Sequence, residues 1–136
     1  MKSKILVGIL TFVGMSHSLV SQAAPAREVS LKVEAVDGKT HWIPEKFDVI
    51  QGETLKIKLE HNLPAGFAFH GFEIPVLNIH QQVNRGTPLV LEVKIPSDLA
   101  VGEYPVNCQF HAAHVGSSLV VKAAPAAAKK SEVKKN

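Results

Sequence analysis

The run "TLKIKLE", residues 54–60, alternates Leu55, Ile57 and Leu59 with Lys56, Lys58 and Glu60. Strict alternation puts every apolar side chain on one face of an extended strand and every charge on the other, which no helix can do. The pattern recurs along the chain. "EVSLKVEAV" places Val29, Leu31, Val33 and Ala35 on one face before Asp37-Gly38 turns the chain. "FDVI" follows Pro44, "FHGFEI" follows the loop Asn62–Gly66, and "PLVLEVKI" runs up to Pro96. "EYPVNC" and "SSLVVK" close the series. Seven or so strands about ten residues apart, with no helix long enough for a parallel crossover, predict an all-β fold. The expected architecture is an antiparallel Greek-key β-sandwich or barrel. Trp42 and Phe47 read as core, and "IPVLNIHQQVNRG" is expected to run outside the sheets.

The two ends read differently. Lys2 and Lys4 precede the apolar run Ile5–Met15, and "SQAAP" supplies small residues for cleavage after Ala23. That is the pattern of a secretory leader over residues 1–23, and the run is too short to serve as a comfortable membrane span. Export to the periplasm, with no stable membrane insertion after cleavage, is the expectation. Residues 123–136, rich in Ala and Lys, have almost nothing to bury and are expected to be a disordered tail. The domain is therefore expected over 24–122, a length that can bury its own core. Its charge is not basic. Removing Lys2 and Lys4 takes the formal +3 to +1, and four lysines against Glu132 in the tail leave the domain at about −2. The basic balance belongs to the ends, and nucleic acid is not an expected partner.

Cys108 is the only cysteine, so the chain contains no internal disulfide. It is a buried filler, a reactive thiol or a metal ligand, and a metal would protect a lone thiol in an oxidising compartment. His111 follows three residues later and His114 three after that, on the loop between the last two strands. A thiolate and an imidazole separated by two residues can face one metal from a tight loop. Two nitrogens and one thiolate suit copper, which also accepts a weaker fourth donor. His70, between a loop and the strand "GFEI", is placed to be the second nitrogen donor, and Gly71 lets another backbone approach.

Taken together, "WIPEKFDVIQGETLKIKLEHN", "HGFEI", "GEYPVNCQFH" and "GSSLVV" resemble the cupredoxin pattern over nearly all of residues 41–121. The resemblance implies an eight-stranded Greek-key barrel, one copper ion held by His70, Cys108 and His111, and single-electron transfer outside the cytoplasm. The chain departs from the family at the fourth ligand. Its only methionines, Met1 and Met15, lie in the leader, and His114 occupies the place of the axial methionine in the short-loop spacing. His114 is therefore a fourth ligand, a hydrogen-bond donor to one of the ligands or a solvent-facing residue beside the site. The missing methionine is also similar to nitrosocyanin-type red copper proteins, although these carry a glutamate where this chain has His70.

Glu73 is more readily an outward charge than a ligand, and His41, His61 and His80 read as packing or surface residues, with His80 able to line an open face. Phe110, Ala112 and Ala113 on the ligand loop either form a docking patch or pack over it. The functions in contention are electron transfer to a redox partner protein, copper delivery to a receiving protein, and, with less support, a reactive copper site for a small molecule such as nitric oxide. Deleting everything after Lys122 should leave copper binding and the melting temperature nearly unchanged, as thermal unfolding of the truncated chain would show.

Overall fold

Two apolar faces meet in this chain, and each is built by strands whose inward positions alternate as the sequence requires. The structure, a computed structural model, describes residues 26–126 apart from Ala65, Ala112 and Ala113. The leader expected over 1–23 and residues 127–136 of the expected tail lie outside the described residues. Ala123 to Ala126 are exposed and have no regular structure.

Nine strands are present among the described residues: β1 (Arg27–Val36), β2 (Lys39–Ile43), β3 (Lys46–Ile50), β4 (Thr54–His61), β5 (Phe69–Ile74), β6 (Ile79–Asn84), β7 (Leu89–Lys94), β8 (Gly102–Val106) and β9 (Ser117–Lys122). One sheet has the order β2-β1-β4-β7, a second β3-β9-β8, and β5 and β6 form a separate hairpin. Leu31, Val33, Leu55, Ile57 and Leu59 from the first sheet face Phe47, Val49, Leu119 and Val121 from the second, all in one buried cluster. Trp42 meets Phe72 edge to face, ring centroids 5.5 Å apart. The β1–β2 turn has positive φ at both Asp37 (49°) and Gly38 (74°), the geometry that matches the twist of a two-residue hairpin.

The all-β sandwich matches the expectation, with two differences of detail. The strands are not all antiparallel: β1 pairs with β4, and β3 with β9, in parallel. A parallel pair needs a long crossover. β2 and β3 provide it between β1 and β4, and β4 to β8 provide it between β3 and β9, so no helix is required. The segment expected to wander contains β6, which pairs with β5 from Phe69↔Asn84 to Ile74↔Ile79. A short 3₁₀ turn at Pro75–Leu77 and a left-handed Asn78 (φ 52°) reverse the chain into it. Gln81 sits between Ile79 and Val83 on the inward side, and this polar interruption hides the alternation. β6 and β2 are the two strands added to the seven expected.

Candidate metal centre

Four side chains at the β8–β9 loop converge. One ligand atom each from His70, Cys108, His111 and His114 lies within 4.8 Å of all the others. His70 comes from β5. The other three come from the loop, which follows β8 directly, so Cys108 stands two residues past the strand's end instead of closing it.

The loop is fixed at both ends by backbone pairing. Asn107 and Glu73 exchange hydrogen bonds of 2.9 and 3.0 Å, which lays the start of the loop against β5. At the far end, the Val115 N–H donates to Thr40 (2.9 Å) and the Trp42 N–H to Val115 (3.4 Å), tying the loop to β2. Between them, the His114 N–H donates to the His111 carbonyl at 3.1 Å and closes the turn. A peptide tied on two sides cannot swing its donors apart.

Gly71 is the point of closest approach. Its N–H donates to Cys108 Sγ at 3.2 Å, and its carbonyl accepts from Trp42 Nε1 at 3.0 Å. A Cβ there would collide with Gln109 Oε1 and lie 2.8 Å from the Gln109 backbone nitrogen. Only glycine leaves the loop room. Gln109 Nε2 donates to the Gln81 carbonyl on β6 at 3.0 Å, a third tether for the loop.

Among the donors, His70 Nδ1 faces His114 Nδ1 at 3.0 Å, and Cys108 Sγ lies 3.6 Å from His111 Nδ1. Burial, with the neighbouring His114, His61 and His111 and the Arg85 charge, pushes His70 down to about 4. Burial, then His111 and His61, lowers His114 as well. Both imidazoles are therefore held in the neutral form that a metal requires. His61, read from the sequence as packing or surface, is buried directly behind the site, its ring at 84° to that of His70 with centroids 4.4 Å apart. Its Nε2 donates to the Phe67 carbonyl at 2.9 Å.

Four residues named earlier, Glu73, His80, His41 and Phe110, stand outside this group. Glu73 faces His80 across the hairpin at 3.0 Å, and its backbone is committed to Asn107. His41 is on β2, 3.9 Å from Glu45. Phe110 is exposed and meets Phe69 edge to face at 5.2 Å, while Ala112 and Ala113 lie outside the described residues. Sequence reasoning passed over Phe67 altogether. This exposed ring stacks on His111, centroids 3.7 Å apart and planes 26° from parallel. Its signal was a large aromatic three residues before His70, outside any alternating run.

The donor set fits copper. A thiolate with imidazole nitrogens is the mixed soft and borderline combination that copper prefers. A β-sandwich carrying such a group between one strand and one interstrand loop defines a small copper-binding domain. The profile of the cupredoxin-like domain matches residues 5–121, and the chain belongs to that family. Its cofactor is copper, with His70, Cys108 and His111 as candidate ligands.

No curated protein matches the sequence. Solved structures share the fold at low identity. A copper-binding protein in its apo form is 19% identical with a TM-score of 0.54, covering 75% of this chain and 93% of its own. Auracyanin B is 12% identical with a TM-score of 0.55, covering 76% and 94%. The metal-binding domain of the Cu(I)-exporting P-type ATPase CopA of Streptococcus pneumoniae, solved with Cu(I), is 12% identical with a TM-score of 0.56, covering 70% and 84%.

Two outcomes follow from this geometry. Gly71→Ala should destabilise the metal-free protein by about 1–3 kcal/mol, because the loop must shift to admit the methyl group, and should weaken copper binding. Chemical denaturation and copper titration of the variant check both. The unfolded chain protonates His70 near 6.5 and the folded chain only near 4. The metal-free fold therefore loses stability as pH falls through that window and regains it as pH rises. Melting temperature against pH should show this slope, and His70→Gln should flatten it.

Proposed function

We propose that this chain is an exported periplasmic protein that carries single electrons on one copper ion held by His70, Cys108, His111 and His114. The observation behind the reading is the convergence of one sulfur and three imidazole nitrogens within 4.8 Å, one from β5 and three from a loop tethered at both ends. Bound there, copper supplies a one-electron couple between its cuprous and cupric states. The chain's own contribution is to keep the donors in place in both states. β5 fixes His70, the Asn107 and Val115 pairings fix the loop, and the Gly71 N–H stabilises negative charge on Cys108 Sγ. Small displacement between the two states favours fast exchange of an electron. Phe67 and Phe110, both exposed beside His111, offer a partly apolar face on which a redox partner protein would dock.

One feature favours a second reading. His114 supplies an imidazole where a thioether is usual, and a stronger nitrogen donor favours the cupric state and lowers the potential. Copper binding and delivery to a receiving protein would suit such a site. The fold shared with a copper-binding protein and with a copper exporter's metal-binding domain accords with that reading.

Voltammetry of the copper-loaded protein separates the two. Fast reversible cycling with copper retained supports the carrier. Release of copper on reduction, or transfer to an acceptor without cycling, overturns it in favour of delivery.

Two substitutions test the ligands. Cys108→Ser should abolish the thiolate-to-copper charge-transfer band while circular dichroism shows the metal-free sandwich intact. His114→Met should shift absorption towards that of an ordinary blue site and raise the reduction potential. Unchanged spectra and potentials in both His114→Met and His114→Ala would place His114 outside the ligand set.

A further inference from the structure

We propose that Phe67 is a shield that controls access to the copper ligands His111 and His114, and that Arg85 and His61 fasten it in place. The inference rests on the copper-site reading above and concerns what can reach that site from solvent.

Phe67 has no place in the hydrophobic core and is 53% exposed. Its aromatic neighbours among the described residues are the site's own imidazoles: His111 stacked at 3.7 Å, His114 at 5.7 Å and His70 at 6.4 Å. An exposed phenylalanine on a loop is free to turn elsewhere unless its backbone is held. Here the backbone is held at three successive carbonyls. Arg85 Nη2 donates to Gly66 at 2.8 Å and to Phe67 at 2.7 Å, and the Arg85 N–H donates to Ala68 at 2.8 Å. His61 Nε2 gives the Phe67 carbonyl a second donor at 2.9 Å. The His61 carbonyl is itself anchored by the Gly86 N–H at 2.8 Å. The strap fixes where the ring leaves the chain.

A stacking distance of 3.7 Å leaves no room for a water layer between Phe67 and His111. Any small anion or chelator approaching the ligand rings from this side has to displace the phenyl ring first. Phe69 and Phe110 close the flank, at 6.1 and 6.4 Å from the His111 ring. The three phenylalanines surround the half-buried histidine, and Phe67 is the one lying flat on it. A closed site suits an electron carrier; an open one would admit small ligands.

The test compares wild type, Phe67→Ala, Phe67→Tyr and Arg85→Met, each loaded with one equivalent of copper. Copper removal by excess chelator is timed, and absorption is recorded with and without azide. Phe67→Ala should lose copper about tenfold faster, in keeping with the worth of one aromatic stack, and should gain an azide-dependent band that wild type lacks. Phe67→Tyr should behave as wild type, and Arg85→Met should fall between. Equal removal rates and equal azide responses in wild type and Phe67→Ala overturn the shield while leaving the copper site standing. The metal-free proteins give a separate readout by NMR. The ring protons of His111 should lie upfield in wild type and move back in Phe67→Ala. No difference there overturns the stack itself, even if wild type fails to bind copper and the functional reading falls.

Discussion

The whole site hangs on the residue that has no side chain. Gly71 gives its N–H to the Cys108 sulfur and its carbonyl to the Trp42 indole, and its bare Cα lets Gln109 pass over it. One residue of β5 thus joins the ligand loop to the aromatic core. The indole bond holds the Gly71 carbonyl from the β2 side, which fixes the peptide that follows. Trp42 also packs edge-on against Phe72, the next residue of β5. A buried carbonyl left without a donor would cost on the order of 1–3 kcal/mol, so the tryptophan is held to its place as firmly as the loop is. The surrounding histidines then need no long-range steering, because His70 precedes this anchor and Cys108 is bonded to it.

The charge arrangement is a consequence of the same packing. His61, His70, His111 and His114 crowd together, and Arg85 stands close enough to oppose protonation of His70. Burial, with the neighbouring imidazoles, holds His70 and His114 below the ordinary imidazole range, so these two stay neutral and ready to donate lone pairs. What would destabilise a plain core is, at a metal centre, the source of its affinity. Copper would take up the donor atoms that folding has concentrated there.

Much of this was legible in the sequence, for identifiable reasons. Leu55, Ile57 and Leu59 alternate with charges, so β4 declares itself, as do β1, β7 and β9. The convergence of His70 with Cys108, His111 and His114 followed from spacing and family resemblance together. Other features depend on partners far along the chain. β6 was hidden because Gln81 breaks its alternation, and only pairing with β5 reveals it. The parallel pairing of β1 with β4 depends on the path of the chain through β2 and β3, which no local pattern records. His61 looked like any strand-end histidine until the fold set it behind His70. Phe67 carried no periodic signal, since its role is defined by a ring on another loop.

β9 lies in the middle of its sheet, between β3 and β8, yet it is the last strand among the described residues. It enters between elements made earlier, and its partner Lys46–Ile50 lies some seventy residues upstream. The ligand loop immediately precedes it. During synthesis, three of the four donor side chains emerge after most of the sandwich has been made, and their loop is tied down at Val115 just before β9 begins. Contacts so distant in sequence form late. A chain cut short before this loop would thus present His70 alone of the four donors, so the site is assembled only once the loop is in place.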